Sequence, residues 1–203
     1  EADIEADLVV PVPDSGVPAA LGYAERSKKH FELGLIRNHY VGRTFIEPTQ
    51  NIRSLGVKLK LSPTKTIVKD KSIILIDDSL VRGTTCHKIV KMLYESGAKE
   101  VHVRIACPEI IYPDFYGVDM PTKEELLAHK KDNNEMCEYI SAKSLKFLSL
   151  NGLYKALINE KRISGYPQFS DHYFTGDYPI KPQDKINGTK VKQLSLLSGK
   201  SNF

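Results

Sequence analysis

Two adjacent carboxylates, Asp77 and Asp78, precede a short run that holds three hydroxyls and one glycine: Ser79, Gly83, Thr84 and Thr85. The second part suits an anion. Gly83 lets the backbone approach a ligand closely, and the hydroxyls offer donors to phosphate oxygens. The carboxylates would repel a bare phosphate. Together they imply a ligand that also presents hydroxyls or arrives with a hard cation such as Mg²⁺, and a sugar phosphate meets both demands. No Gly-Lys-Ser/Thr is present, so this is not a Walker A loop.

The flanking residues say where such a loop would sit. Ser72 to Ile76 is a short, β-branched apolar run that predicts a fully buried parallel strand. After the loop, Cys86, Ile89, Val90 and Leu93 recur at i, i+3, i+4 and i+7, which predicts a helix opening at Thr84 and Thr85, with Gly97 as its stop. The loop then lies at the carboxyl end of a strand and the amino end of a helix, where free N–H groups and the helix dipole favour an anion. A second strand-turn-helix unit is expected earlier. Asp7 to Val12 reads as a strand ended by Pro11 and Pro13. Asp14 and Ser15 read as N-cap residues of a helix through Val17, Ala20, Leu21 and Ala24, with Pro18 in its first turn.

The string Asp77-Asp78-Ser79-Leu80-Val81-Arg82-Gly83-Thr84-Thr85 resembles the phosphoribosyl pyrophosphate motif of the type I phosphoribosyltransferases. Three further strings resemble the glutamine-dependent amidotransferase branch of that family: Val12-Pro13-Asp14-Ser15-Gly16, the stretch from Arg37 to Ile46, and Pro108-Glu109-Ile110 with the stretch from Tyr116 to Pro121. The resemblance runs from about Asp7 to about Leu157. It implies an α/β type I phosphoribosyltransferase fold, a mostly parallel twisted sheet flanked by helices.

It also implies transfer of the phosphoribosyl group of phosphoribosyl pyrophosphate to ammonia. The product would be 5-phosphoribosylamine, in the first step of de novo purine synthesis. By the same likeness, Ser79, Leu80, Val81, Arg82, Gly83, Thr84 and Thr85 bind the 5′-phosphate, and Asp77 and Asp78 face the ribose, directly or through Mg²⁺. Ser15 would help to hold that ion. Arg37, Tyr40 and Arg43 belong to a mobile loop that closes over the pyrophosphate, as two arginines and a tyrosine in a polar stretch could. Some relatives hold an iron–sulphur cluster on cysteines; the corresponding places here offer Asp114, Ser170 and His172, so no cluster is expected. A homo-oligomer is expected. Two other functions fit the same loop: a regulatory module that senses phosphoribosyl pyrophosphate, and a salvage transferase acting on a purine base.

The rest of the chain is read more coarsely. A strand is expected from Phe31 to Leu35 and the polar, cationic loop from Ile36 to Ile46; Asn51 to Lys60 reads as a short helix, or Lys58 to Leu61 as a strand. Lys69 to Lys71 forms a turn. Val101, Val103 and Ile105 alternate with His102 and Arg104 as the next strand, and Pro108 to Pro121 is an ordered loop over the carboxyl edge of the sheet. Lys123 to His129 and Asn134 to Ile140 are expected helices, Leu145 to Leu148 a strand and Leu150 to Leu157 a helix. This alternation predicts a right-handed parallel sheet. Residues 1–157 then form the transferase domain, and 158–203 an irregular tail that docks by its aromatics and frays at its end.

Bulk properties agree. The 203 residues are 41% hydrophobic and 27% charged, ordinary for a globular protein, and no apolar run approaches the roughly 20 residues of a membrane helix. Cys86, Cys107 and Cys137 are odd in number and widely spaced, which suits reduced thiols and a cytoplasmic setting. Net charge is +4, and the stretch 159–203 holds seven Lys/Arg against four Asp/Glu, so most of the surplus lies in the tail. No basic stripe with interleaved aromatics appears, so nucleic acid is not an expected partner. The start at Glu1, without methionine and almost directly on a strand, leads us to expect a fragment of a longer chain; the family resemblance implies that a glutaminase domain precedes this region.

Overall fold

The computed structural model describes residues 4–38, 61–118, 122–165 and 167–180. Its centre is a five-stranded, all-parallel sheet. In chain order the elements are β1 (Leu8–Pro11), α1 (Val17–Ser27), β2 (His30–Phe31), β3 (Leu35–Arg37), β4 (Leu61–Pro63), α2 (Lys65–Val68), β5 (Ser72–Asp77), α3 (Thr84–Glu95) and β6 (Glu100–Ile105). A 3₁₀ turn (Lys123–Glu125), α4 (Leu127–Lys130), α5 (Asn133–Tyr139), β7 (Ser144–Phe147), α6 (Leu150–Ile158) and α7 (His172–Thr175) complete the order. Sheet order is β2-β1-β5-β6-β7, and β3 and β4 form a separate antiparallel pair.

β5 is the middle of the core because it is apolar on both faces. Ile73 and Leu75 pack with Cys86, Ile89, Val90 and Leu93 of α3, while Ile74 and Ile76 pack with Ala20 and Ala24 of α1. A half-buried strand would alternate with polar residues; a strand covered by helices on both sides need not. From β1 the chain passes to β2 on one side, then returns to β5 on the other. This reversal puts α1 and α3 on opposite faces of the sheet, and beyond the carboxyl ends of the strands at such a point open α/β sheets bind their ligands.

Several expectations are corrected. The stretch Phe31 to Leu35 is not one strand: β2 joins the main sheet, whereas Leu35 opens β3, paired with β4. Arg37 therefore ends a strand instead of lying in a loop, and α2 was not foreseen. The helix expected over Lys123 to His129 is broken at Leu126, whose ψ of 122° is extended. The helix reading of Asn51 to Lys60 lies outside the described residues; of the alternative strand from Lys58 to Leu61, only Leu61 is described, and it opens β4. α5 begins as its sequence allows, with Asp132 accepting from the N–H groups of Asn134 (2.8 Å) and Glu135 (2.9 Å) and Glu135 reaching back to the Asp132 N–H.

The tail is more ordered than expected through residue 180, and charge as well as aromatic surface docks it. Asp171 accepts hydrogen bonds from Tyr154 Oη (2.8 Å) and from Arg162, which also meets Asp177. His172 Nε2 lies 2.8 Å from Asp114 Oδ1, both side chains being enclosed. The Tyr173 carbonyl accepts from the N–H groups of Ile111 and Tyr112, so the tail closes on the loop after β6. The frayed end expected beyond it lies outside the described residues.

Candidate functional site

Beyond the carboxyl end of β1, the first turn lies against the end of β5. The Val12 N–H donates to the Ile76 carbonyl at 2.8 Å, and Gly16 N–H donates to the Val12 carbonyl at 2.9 Å. A Cβ on Gly16 would lie 2.5 Å from the Ile76 oxygen and 2.8 Å from the Val12 oxygen, so only glycine allows the first turn to lie against the end of β5. Gly16, not Asp14 or Ser15, is also the N-cap of α1. Asp14 and Ser15 are exposed on the turn, and the Asp14 carboxylate is occupied with the Arg37 guanidinium. The Pro13–Asp14 peptide is cis.

Asp77 is the last residue of β5. It shares the face of Ile73 and Leu75, which sets it beside Cys86 at the start of α3, and only 9% of it is exposed. Its Oδ1 accepts the Asp78 N–H at 3.0 Å. Burial, then the hydrogen bond with Asp78 and the Asp78 charge, push the Asp77 carboxyl up to about 8. Asp78 is exposed. The pair thus combines one carboxylate in water with one that holds its proton near neutrality until a donor or cation faces it. Neighbouring thiols are equally desolvated. Cys107 is pushed up to about 12 by burial and by Asp78 and Asp77, despite a hydrogen bond from the Leu80 N–H, and Cys86 is raised by burial and by Asp77. Neither thiol is a nucleophile at neutral pH.

The phosphate-binding candidates follow. Gly83 is the N-cap of α3 at φ 74°, and among the described residues no side chain caps that terminus, so its first N–H groups are open with the Thr84 and Thr85 side chains, both exposed. Ser79 is half-buried, and Leu80 turns into the core, 3% exposed, so it offers only its backbone. The Val81 carbonyl accepts the Leu127 N–H at 2.9 Å. The Arg82 side chain meets Glu125, Nε to Oε1 at 3.2 Å and a second nitrogen to Oε2 at 3.4 Å. Tyr40 and Arg43 lie outside the described residues. Sequence reasoning missed Gly16, Cys107, Glu125 and Leu127 as parts of the site; only Gly16 lay within a string that had been singled out.

Among the described residues no group of three or more His, Cys, Asp and Glu is assembled around one point. Two carboxylates at the mouth of an anion site are nevertheless the hard oxygen donors that Mg²⁺ takes when substrate phosphates and water complete its shell. Asp77 in particular is a buried carboxyl that meets no cationic side chain among the described residues, so the residues fit such an ion. Among the described residues no helix is long and apolar enough to cross a membrane.

Comparison with known proteins gives concordant results. The family model "Phosphoribosyl transferase domain" matches residues 1–114. The chain is 56% identical over 199 residues to an amidophosphoribosyltransferase of Rhizobium etli, covering 98% of this chain and 40% of that protein. It is 52% identical to amidophosphoribosyltransferase 1, chloroplastic, of Arabidopsis thaliana, covering 95% of this chain and 32% of that one. Among solved structures it resembles a glutamine phosphoribosylpyrophosphate amidotransferase from B. subtilis complexed with ADP and GMP. The TM-score is 0.77 at 49% identity, over 88% of this chain and 39% of that chain. The chain thus spans well under half the length of these relatives.

Proposed function

Because this chain belongs to the phosphoribosyl transferase domain family, we propose that it is the ribosyl-transferring part of an amidophosphoribosyltransferase, converting phosphoribosyl pyrophosphate and ammonia to 5-phosphoribosylamine and pyrophosphate in purine biosynthesis. The observation that carries this reading is the Asp77–Asp78 pair at the end of the central strand, immediately before a glycine-capped helix whose N-terminus is open. A glutaminase portion, supplying ammonia from glutamine, belongs to the longer protein in this reading. Homo-oligomeric assembly and a cytoplasmic location are parts of the same proposal.

The residues divide the work by charge. The 5′-phosphate rests on the N–H groups at the start of α3 and on the Thr84, Thr85 and Ser79 hydroxyls, where the helix dipole assists. Asp77 and Asp78 accept from the ribose hydroxyls. They also lie where positive charge spreads over the ring as the bond to pyrophosphate breaks, and carboxylates stabilise that charge without forming a bond. Mg²⁺ held by Asp77 and Asp78, with Ser15 contributing, would neutralise the leaving pyrophosphate. Arg37 is positioned by Asp14 at the rim and, with Tyr40 and Arg43, provides the cationic cover. Ammonia attacks as the free base, so no protein general base is required.

The test is pyrophosphate release from phosphoribosyl pyrophosphate, Mg²⁺ and ammonium at alkaline pH. Ammonium-dependent release that Asp77→Asn abolishes is the expected result. Tight binding without release would instead favour a sensor, and release that needs a purine base would favour salvage.

A further inference from the structure

Three contacts from one downstream segment converge on the Ser79–Thr85 turn. The Leu127 N–H holds the Val81 carbonyl at 2.9 Å. The Glu125 carboxylate takes both arms of Arg82, at 3.2 and 3.4 Å, while the same side chain caps its own 3₁₀ turn through the Thr122 N–H at 3.3 Å. Beneath Gly83, the Leu127 Cδ2 and the Tyr139 ring occupy the space where a Cβ would stand, 2.6 and 3.0 Å from it. Leu127 is 7% exposed and belongs to the main core, so this support is anchored rather than a loose surface contact. A glycine at φ 74° has no side chain of its own to define its place; here the neighbouring segment defines it.

We propose that Glu125 and Leu127 are positioning residues for phosphate binding, forming with Tyr139 a shelf that fixes the turn and turns the Arg82 guanidinium away from the ligand. This rests on the reading of the turn as a phosphate site. A shelf of this kind acts on the ligand through backbone placement. Its loss should therefore weaken binding of the phosphorylated pentose and leave the bond-breaking step nearly intact, since the 5′-phosphate is held alike before and during bond breaking.

The experiment titrates the full chain with ribose 5-phosphate by calorimetry and follows unfolding in parallel. Glu125→Ala and Leu127→Ala should each raise Kd by about tenfold. The exchanged pair R82E/E125R should return it to within a few-fold of the parent. In the ammonium-dependent assay the same variants should raise KM with kcat little changed. Parental Kd values in both alanine variants, or an exchanged pair no better than Glu125→Ala alone, would overturn the shelf while leaving the phosphate site standing. A parental chain that fails to bind ribose 5-phosphate would remove the site itself, and the shelf with it. Because Leu127→Ala opens a core position, Glu125→Ala, on an exposed side chain, keeps the test decisive if that variant does not fold.

Discussion

The Asp114 carboxylate and the His172 imidazole lie 2.8 Å apart and are almost wholly enclosed, a bond between side chains 58 residues apart in the chain. It pins the tail to the loop that leaves β6. Asp114 also accepts the N–H groups of Tyr116 and Val118, each at 2.8 Å, so one side chain organises the loop and receives the tail. Three aromatic rings, of Tyr116, Tyr173 and Tyr178, surround the imidazole.

Asp114→Ala should therefore leave His172 buried without its acceptor and destabilise the fold by about 1–3 kcal/mol. Thermal unfolding would show this as a drop of several degrees. Burial would raise the Asp114 carboxyl, but the Val118 N–H, His172 and the Tyr116 N–H outweigh it and hold it at about 2. A carboxyl lowered on folding contributes stability that is present above its ordinary value of 3.8 and is lost as pH falls toward 2. Acid unfolding should accordingly be less steep between those values in the alanine variant than in the parent.

Asp77 carries the opposite sign. A carboxyl raised on folding from 3.8 to about 8 binds a proton that the unfolded chain has released, so its contribution is complete below pH 3.8 and declines as pH rises through 8. The parent should lose stability across that window, and Asp77→Asn should remove this part of the slope in denaturant titrations at pH 5, 6, 7 and 8. In ammonium-dependent transfer the same substitution should cost at least about a hundredfold.

Ligand binding should release a proton from the same carboxyl, because hydroxyl donors or Mg²⁺ stabilise its charged form. Phosphoribosyl pyrophosphate with Mg²⁺ should then bind more tightly as pH rises from 6 toward 8. Calorimetry in buffers of different ionisation enthalpy counts the proton, and Asp77→Asn should abolish the difference between buffers.

Gly16→Ala and Gly83→Ala should fail for different reasons. The new Cβ at Gly16 meets two backbone oxygens, of Ile76 and Val12, so β5 or the first turn must shift, at a cost of about 1–3 kcal/mol. At Gly83 the nearest atoms are side-chain carbons of Leu127 and Tyr139, not backbone, and φ 74° adds about 1–2 kcal/mol for any residue with a Cβ. Gly83→Ala should weaken ribose 5-phosphate binding more than Leu127→Ala does, and Gly16→Ala should show the larger loss in unfolding experiments.

Arg37→Ala should spare stability and harm turnover. Its pair with Asp14 is exposed and contributes about 0–1 kcal/mol, whereas a charge-assisted hydrogen bond to a pyrophosphate contributes about 1.5–3 kcal/mol. The expected outcome is an unchanged unfolding midpoint with KM for phosphoribosyl pyrophosphate raised by roughly ten- to a hundredfold.

What the chain settles by itself is the unit from Ser72 to Glu95. An apolar run closed by two acids, a glycine, and a stripe at Cys86, Ile89, Val90 and Leu93 are all local patterns. A continuous short apolar run between turn signals and a stripe of period 3.6 dictate strand, turn and helix before any distant residue is consulted. The same holds for Gly97, which sits past the helix at φ 95°. Tertiary structure alone decided that Asp14 meets Arg37 while Gly16 caps α1, that Arg82 turns to Glu125, that Gly16 lies against Ile76, and that Asp114 finds His172. Each is a contact between side chains or backbone atoms from separate elements, and no periodicity records which elements will adjoin. The protonation of Asp77 is of the same kind. Its residue type was plain from the start, but its pKa is set by how much water the folded sheet and α3 leave around it, and solvent exclusion is a property of the assembled core.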